Sequence, residues 1–360
     1  MQIAIIADTH FNLWRKNNSF FSYLMDFFKL FTEEINRKKV EYIVFAGDLF
    51  HTKSIISAEM LLNTTNVLKL INQNCPQLKS IYIIPGNHDI YLKNDVSWNI
   101  LQIYQEFPKI QVFNSLSYVD IDNTRCWFLP YYRSSQEYIE YLNKIDVSTI
   151  KRNLLFSHIG VDSFNMLQTE DITMAEQNEF IKPKKFKKFD HVYLGHFHSY
   201  QTKGNITYVS SPIQSRHGDE HGKHGFVIHD LKTNTHEFIQ NYKSPQFLTK
   251  ELTMEVLKEL LSQNGAGKFV RLIVKDHIPS TKLSIIIEKL TKKNYSAEIK
   301  FMLNNATFYD DSFASIENWD ELVFNSVEEL FAKFLNFIET DLDKEKLYKF
   351  ITSLNIGNNI

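Results

Sequence analysis

The chain has 360 residues, enough for two or three domains at roughly 150 residues each, and its 43% hydrophobic and 23% charged content excludes a disordered or collagen-like polymer. Lys and Arg total 40 against 42 for Asp and Glu, a net charge of −2, so no global basic field advertises a polyanionic partner, which would have to be met by local charge or bound metal. Two cysteines, Cys75 and Cys126, are too few for a disulfide framework and fit a reducing cytoplasm, and no run of about eighteen apolar residues offers a membrane span.

In chain order, Met1 to Ala7 is apolar and reaches Asp8 without a basic leader or a small-residue cleavage site, which reads as a first strand rather than a signal peptide. Continuous apolar runs at Gln2–Ala7, Tyr42–Ala46, Ser80–Ile84, Asn153–Phe156 and His191–Leu194 mostly lack polar alternation, as strands buried on both faces do. Apolar residues at three- and four-residue spacing predict helices over Phe20–Lys38 and Ser57–Asn72. The alternation of strand and helix argues for a layered α/β domain with parallel pairing. Further strands are expected at Arg125–Leu129, Ile206–Ser210 and Gly225–Asp230. The character changes around Asn241–Pro245, after which a helix (Met254–Gln263), a strand (Lys268–Lys275), a helix (Thr281–Lys292) and a strand (Ala297–Met302) suggest a small second domain. An acidic, irregular stretch, Asp310–Glu321, precedes two amphipathic helices, the first opened by a capping-box pattern at Ser326 and Glu329 and the second spanning Asp343–Leu354.

The residues just past each buried run carry the chemistry. The sequence reads Asp8-Thr9-His10 after the first and Gly47-Asp48-Leu49-Phe50-His51 after the second. Gly86-Asn87-His88-Asp89 comes after the third, Ser157-His158 after the fourth and Gly195-His196-Phe197-His198 after the fifth. Ligands in an open α/β sheet bind outside the carboxyl ends of the strands, so parallel strands are expected to line all five clusters along one edge of the sheet. Carboxylate, amide and imidazole together suit a pair of borderline transition ions better than calcium. The glycines at 47, 86 and 195 allow tight turns and close backbone approach, and a two-residue step such as Asp8/His10 or His196/His198 sets both side chains on one side of an extended segment. Taken singly, each motif has a bland reading: a helix cap, an Asn-Gly turn, a core histidine. Five of them after buried runs leave little room for coincidence.

The order D-x-H, G-D-x-x, G-N-H-D, H, G-H-x-H resembles that of the calcineurin-like metallophosphoesterases. Within them, Gly47 to His51 is similar to the SbcD-type DNA-repair nucleases and their phage counterparts, which pair with a coiled-coil ABC-type ATPase of the SbcC kind. The motifs cover residues 1–230; the C-terminal third matches only in layout. This resemblance implies a four-layer α/β sandwich metallophosphoesterase domain at 1–242 and a small α+β capping domain at 243–309. It further implies a linker at 310–325 and a helical segment at 326–360 that docks on the ATPase. It implies exonuclease and endonuclease action on DNA in repair, recombination and replication, and a homodimer formed through the helix Ser57–Asn72 and the stretch Val96–Phe107. The Lys, Asn and Ile bias fits a phage source acting in the host cytoplasm. Position by position, Asp8, His10 and His198 would hold one ion, Asn87, His158 and His196 the other, with Asp48 bridging. Manganese is the metal the resemblance implies; the ligand types alone would also accept iron or zinc. His88 would face the scissile phosphate and stabilise the transition state or protonate the departing oxygen. Asp89 would orient His88 by accepting its other N–H, and His51, otherwise a helix-start cap, would assist in positioning phosphate or strand.

Other features tempt less. The run of Lys182, Lys184, Lys185, Lys187 and Lys188 precedes a strand whose far end carries His196, so it reads as a solvated face on the opposite edge. His217, His221 and His224 lie in a loop, Ser215–Gly225, whose Asp219, Glu220 and Lys223 suggest exposure rather than a third metal site. The rival readings are a protein phosphatase, which the missing G-D-x-x-D-R-G motif opposes, a cyclic-nucleotide phosphodiesterase, and a non-catalytic scaffold, which would be expected to have lost ligands.

Overall fold

A computed structural model describes residues 1–302 apart from 12, 14–17, 53–56, 92–94, 148–151, 165–179 and 276–277. The chain divides into two compact units, Met1–Met302 and Leu303–Ile360. The expected linker at 310–325 and the helical segment at 326–360 lie outside the described residues.

Two six-stranded sheets form the centre. The first runs in the order β12 (Thr235–Gln240), β11 (Gly225–Asp230), β1 (Gln2–Ile6), β2 (Tyr42–Ala46), β3 (Ser80–Ile84), β4 (Ile110–Val112). The second runs β5 (Ser117–Ile121), β6 (Thr124–Leu129), β7 (Arg152–His158), β8 (His191–Gly195), β10 (Ile206–Tyr208), β9 (Gln201–Lys203). Pairing from β1 to β4 and from β6 through β8 to β10 is parallel. The expectation of a single sheet edge is therefore corrected: three of the five motif-bearing runs belong to one sheet and two to the other. Period alone could not show this, because a run buried on both faces looks the same in either sheet.

Each face of those runs has its own core. Between the sheets, Ile3, Ile5, Val44, Ala46, Tyr82 and Ile84 meet Cys126, Phe128, Leu154, Phe156 and Tyr193. On the outer face of the first sheet, Ala4, Ile6, Ile43, Phe45 and Ile83 pack against the apolar stripes of α1 (Asn18–Arg37) and α2 (Ala58–Asn74). The second sheet covers its outer face with α3 (Ser135–Lys144), through Tyr138 and Leu142. The four layers run helix, sheet, sheet, helix. Ser57, not His51, caps α2, its side chain accepting from the Met60 N–H at 3.1 Å. Burying a large apolar side chain contributes about 1.5–3 kcal/mol, so these three layers of contact, not local propensity, hold the strand ends in place.

The C-terminal part of the first unit is a three-stranded parallel sheet, β13 (Gln246–Glu251), β14 (Lys268–Val274) and β15 (Ser296–Phe301), with α4 (Met254–Ser262) and α5 (Ser280–Lys292) between its strands in sequence. Phe247 stacks on Phe269 at 4.7 Å, and Phe269 meets Phe20 of α1 edge-on at 6.2 Å. β4, β5, β9, β12, β13 and α3 were not legible in the sequence. β5 and β12 are edge strands with alternating, half-exposed residues such as Asp120 and Glu237, and such edges carry little hydrophobic signal. No helix among the described residues is long and apolar enough to cross a membrane.

Candidate metal centre

The strands β1, β2, β3, β7 and β8 deliver their motifs to one place. Four of the delivered residues, Asp8, His10, Asp48 and His196, have positive φ of 52°, 43°, 50° and 98°. Non-glycine residues held in that region cost of order 1–3 kcal/mol each, a cost tolerated where the aim of a side chain matters. Glycine is required beside them at two points. A Cβ on Gly47 would stand 2.2 Å from His158 Nδ1, and one on Gly86 would stand 2.2 Å from Asp48 Oδ1.

The donor atoms converge closely. Three groups are compatible with a metal ion: Asp8, His10 and His198; Asp8, Asp48 and His158, which shares Asp8; and His10, His51 and His88, which shares His10. Asp48 Oδ2 lies 3.7 Å from His10 Nε2 and 3.3 Å from His158 Nε2, between the two sides of the cluster. Asn87 Oδ1 is 3.1 Å from both His158 Nε2 and His196 Nδ1. His10 Nε2 and His198 Nε2 face each other at 3.1 Å.

Tautomers explain what this arrangement wants. His158 Nδ1 lies 2.9 Å from the Ala46 carbonyl oxygen, which can only accept, so Nδ1 carries the hydrogen and Nε2 turns a lone pair toward Asp48 and Asn87. His198 Nδ1 likewise donates to Asp219 Oδ1 at 3.0 Å, leaving Nε2 as a lone pair opposite His10. At His158 the Nε2 lone pair thus faces the carboxylate and amide oxygens of Asp48 and Asn87 in a buried site, and a proton or a cation reconciles them. In the metal-free protein, protons fill the role. Burial opposes a charge on His158, yet Asp48 raises it to about 9; burial likewise opposes His198, yet Asp219 raises it to about 9. Burial also opposes ionisation of Asp48, but His158 and His88 hold it well below the usual carboxylate range. Burial drives His196 down to about 3 and His10 well below the ordinary value, keeping both rings neutral. A set of imidazole nitrogens, carboxylates and one amide oxygen, sheltered in this way, fits divalent transition ions.

His88 sits beside this cluster, half-buried. Its ring stacks on His51 at 5.4 Å and meets His10 edge-on at 5.0 Å, and its backbone N–H donates to Asp48 Oδ1 at 2.8 Å. The expected orienting partner is corrected. His88 Nδ1 lies 2.8 Å from the His51 carbonyl oxygen, whereas the Asp89 carboxylate turns inward and accepts from the N–H groups of Gly86 (2.9 Å), Phe50 (3.0 Å) and Leu49 (3.3 Å). Asp89 ties two motif loops together because those buried donors would otherwise lack partners. Burial and then the charge of Asp48 push it up to about 7. His51 falls to about 4, through burial and then His88.

Two residues of the site were not legible in the sequence. The Ser215–Gly225 loop is not an exposed one at its centre. Asp219 is 1% exposed, accepts from Ser215 N–H and Oγ–H at 2.8 and 2.7 Å, and grips His198. Arg216 lies against the same His198 ring. The available signal was that a ligating histidine needs an acceptor for its second N–H, which the acidic loop after the last motif supplies. His224 is buried against Ser211 Oγ at 2.9 Å, and His217 contacts Glu220 and Glu298. Among the described residues, no metal-compatible group includes His217, His221 or His224. The lysine run stands at the amino end of β8, where Lys188 Nζ donates to the Leu142 and Ile145 carbonyls at 2.6 and 2.7 Å.

Helix–sheet–sheet–helix layering with such a cluster at the strand ends defines a metallophosphoesterase. A family model described as calcineurin-like phosphoesterase matches residues 1–200, and the chain belongs to that family. It is 21% identical over 361 residues to exonuclease subunit 1 of Enterobacteria phage T4, covering 99% of each chain. It is also 21% identical over 314 residues to the SbcD subunit of nuclease SbcCD from Staphylococcus epidermidis, covering 80% of this chain and 81% of that one. Among solved structures, a dimetal phosphatase from Danio rerio aligns with 63% of this chain and 91% of its own at 13% identity and a TM-score of 0.39.

Proposed function

We propose that the chain is a two-metal DNA phosphodiesterase with exonuclease and endonuclease activity, the nuclease subunit of an SbcCD-like complex in DNA repair, recombination and replication. The observation that carries this reading is the convergence of Asp8, His10, Asp48, Asn87, His158, His196 and His198 in one largely buried cluster, with His88 alongside. The names of the two relatives, an exonuclease subunit and a nuclease subunit, support DNA as the substrate. Asp8, His10 and His198 would hold one ion and Asn87, His158 and His196 the other, with Asp48 between them and manganese as the native metal. Two divalent ions, when bound, neutralise charge on the phosphoryl group and activate a water for in-line attack.

The chain's own residues do the rest. Ala46 O and Asp219 fix the tautomers of His158 and His198, so both present Nε2 without rearrangement. His88, anchored through Nδ1–H on the His51 carbonyl, would in its doubly protonated form use Nε2–H to stabilise the pentavalent transition state or to protonate the departing 3′-oxygen. His51, stacked on His88, holds that ring's plane. Residues 243–309 would form the capping domain, and 326–360 would come after the 310–325 linker to dock on a coiled-coil ABC-type ATPase. Exposed Leu62 on α2, with Trp98 and Ile103 from the 96–107 stretch, supports a homodimer packed through this surface.

The deciding experiment loads the protein with manganese, counts bound ions by mass spectrometry, and compares linear duplex DNA with a phosphoserine peptide and a cyclic nucleotide. Two ions per chain and manganese-dependent DNA cleavage are expected. Turnover of the peptide or cyclic nucleotide with DNA left intact would replace this reading with the corresponding rival.

A further inference from the structure

Arg216 stands immediately before the short turn His217–Asp219, whose Asp219 grips His198. Its Nη2 lies 3.4 Å from His198 Nδ1 and 3.5 Å from Nε2, so the guanidinium rests against the ring of a proposed ligand, and its Nε is 3.6 Å from Asp219 Oδ1. The side chain is 24% exposed, and its charge also reaches His51, whose protonation it opposes. A guanidinium has five donors, no acceptor and a permanent charge, so it cannot ligate a cation. Against a ring that would hold a dication, its charge would add repulsion, and the Asp219 carboxylate beside it is shared with His198 and Ser215. An anion delivered between the guanidinium and the ions removes that repulsion. The planar fork of arginine suits two oxygens of a phosphate group.

We infer that Arg216 is a phosphate-binding residue of this centre, its guanidinium receiving non-bridging oxygens of the substrate's phosphodiester group beside His198. The inference rests on the phosphoesterase reading for its substrate, but not for its anion. The test uses the full chain loaded with manganese, as wild type, R216K and R216Q. Bound metal is counted, binding of inorganic phosphate is measured by titration calorimetry, and kcat and KM are measured on linear DNA. Both variants should retain two ions. Phosphate affinity should fall roughly 10- to 100-fold in R216Q, and less in R216K, which keeps the charge and loses the fork. On DNA, KM should rise more than kcat falls. Unchanged phosphate affinity in a metal-loaded variant overturns the inference, as does loss of metal from either variant, which would make Arg216 a support for His198 alone. If R216Q does not fold, R216K decides by the same criteria. Arginine-dependent phosphate binding in a wild-type protein that cuts no DNA would leave the inference standing and remove the nuclease reading.

Discussion

His88 and Asp48 lie within one hydrogen bond of each other, yet their proposed work differs. Asp48 stands between the two sides of the donor cluster, whereas His88 contributes only its backbone N–H to Asp48 and holds its ring off to the side, on His51. His88→Ala should therefore keep both ions and lose turnover by roughly 10²- to 10⁴-fold. Asp48→Ala should lose metal itself. Metal counting beside a manganese-dependent DNA assay checks both, and wild-type cleavage by His88→Ala would remove its catalytic role. Gly47 makes a harsher case, since a methyl group there meets His158 Nδ1 at 2.2 Å and the backbone has φ of 90°. Gly47→Ala should destabilise the metal-free protein by about 1–3 kcal/mol and weaken metal binding, as read by thermal melting with and without manganese. At this scale the sequence was most legible for which carboxylate, imidazole and amide groups would meet, because each follows a buried run. It failed for Asp89, where adjacency to His88 suggested contact but the carboxylate satisfied buried N–H groups on the other side of the loop.

Between elements, the loop carrying Asp219 links the metal centre to the small parallel sheet. Glu220 Oε2 accepts from the Thr249 N–H of β13 at 2.8 Å, and His217 lies 3.5 Å from Glu298 of β15. Asp219→Asn keeps the shape but removes the charge that fixes the His198 tautomer, so metal affinity should fall about 10- to 100-fold. Titration calorimetry with manganese would detect this, and an unchanged affinity would show that Asp219 does not tune the site. Deleting residues 326–360 is expected to abolish association with the ATPase partner while metal-dependent cleavage by the isolated chain continues. Co-purification tests that directly. Elements with a continuous apolar run or a clear helical stripe were readable to within a residue or two. The edge strands β4, β5, β9, β12 and β13 were not, because their exposed faces interrupt any continuous apolar run, although the edge strand β15 was.

Across the whole molecule, the two sheets are also joined by a polar contact remote from the metal cluster. Tyr193 Oη of β8 lies 2.7 Å from His229 Nδ1 of β11 and 3.2 Å from His236 Nδ1 of β12. His229 is buried, and burial, then His191 and His236, press it from 6.5 down to about 3. The folded state therefore keeps this ring neutral while the unfolded chain takes up a proton below about pH 6.5. Unfolded molecules bind more protons there, so the contribution is complete above pH 6.5 and is lost as pH falls from that value toward 3, by up to about 1.4 kcal/mol per pH unit. Urea denaturation of wild type and His229→Gln between pH 7 and 4.5 should show a shallower pH slope in the variant. Identical slopes would mean that His229 is not the responsible group. Saturating manganese at about a hundred times its dissociation constant should add about 2.7 kcal/mol per site to stability, an increase that chelation reverses. Sedimentation at micromolar protein should give a dimer mass, and a monomer would count against the proposed pairing through α2.

Residue order by itself determined the inventory: apolar runs long enough to be buried strands, and an Asp, His or Asn placed just after each of them. That much is local, because burial of a run and the position of its last residue are both written in a few consecutive side chains. Only the tertiary structure decided that these runs divide between two stacked sheets, that Asp219 and Arg216 close around His198, and that Asp89 faces inward. Those outcomes depend on which partner each strand finds and which buried donor lacks an acceptor, and both are settled by contacts between segments distant in sequence, such as Gln2 and Asp230, which are 228 residues apart.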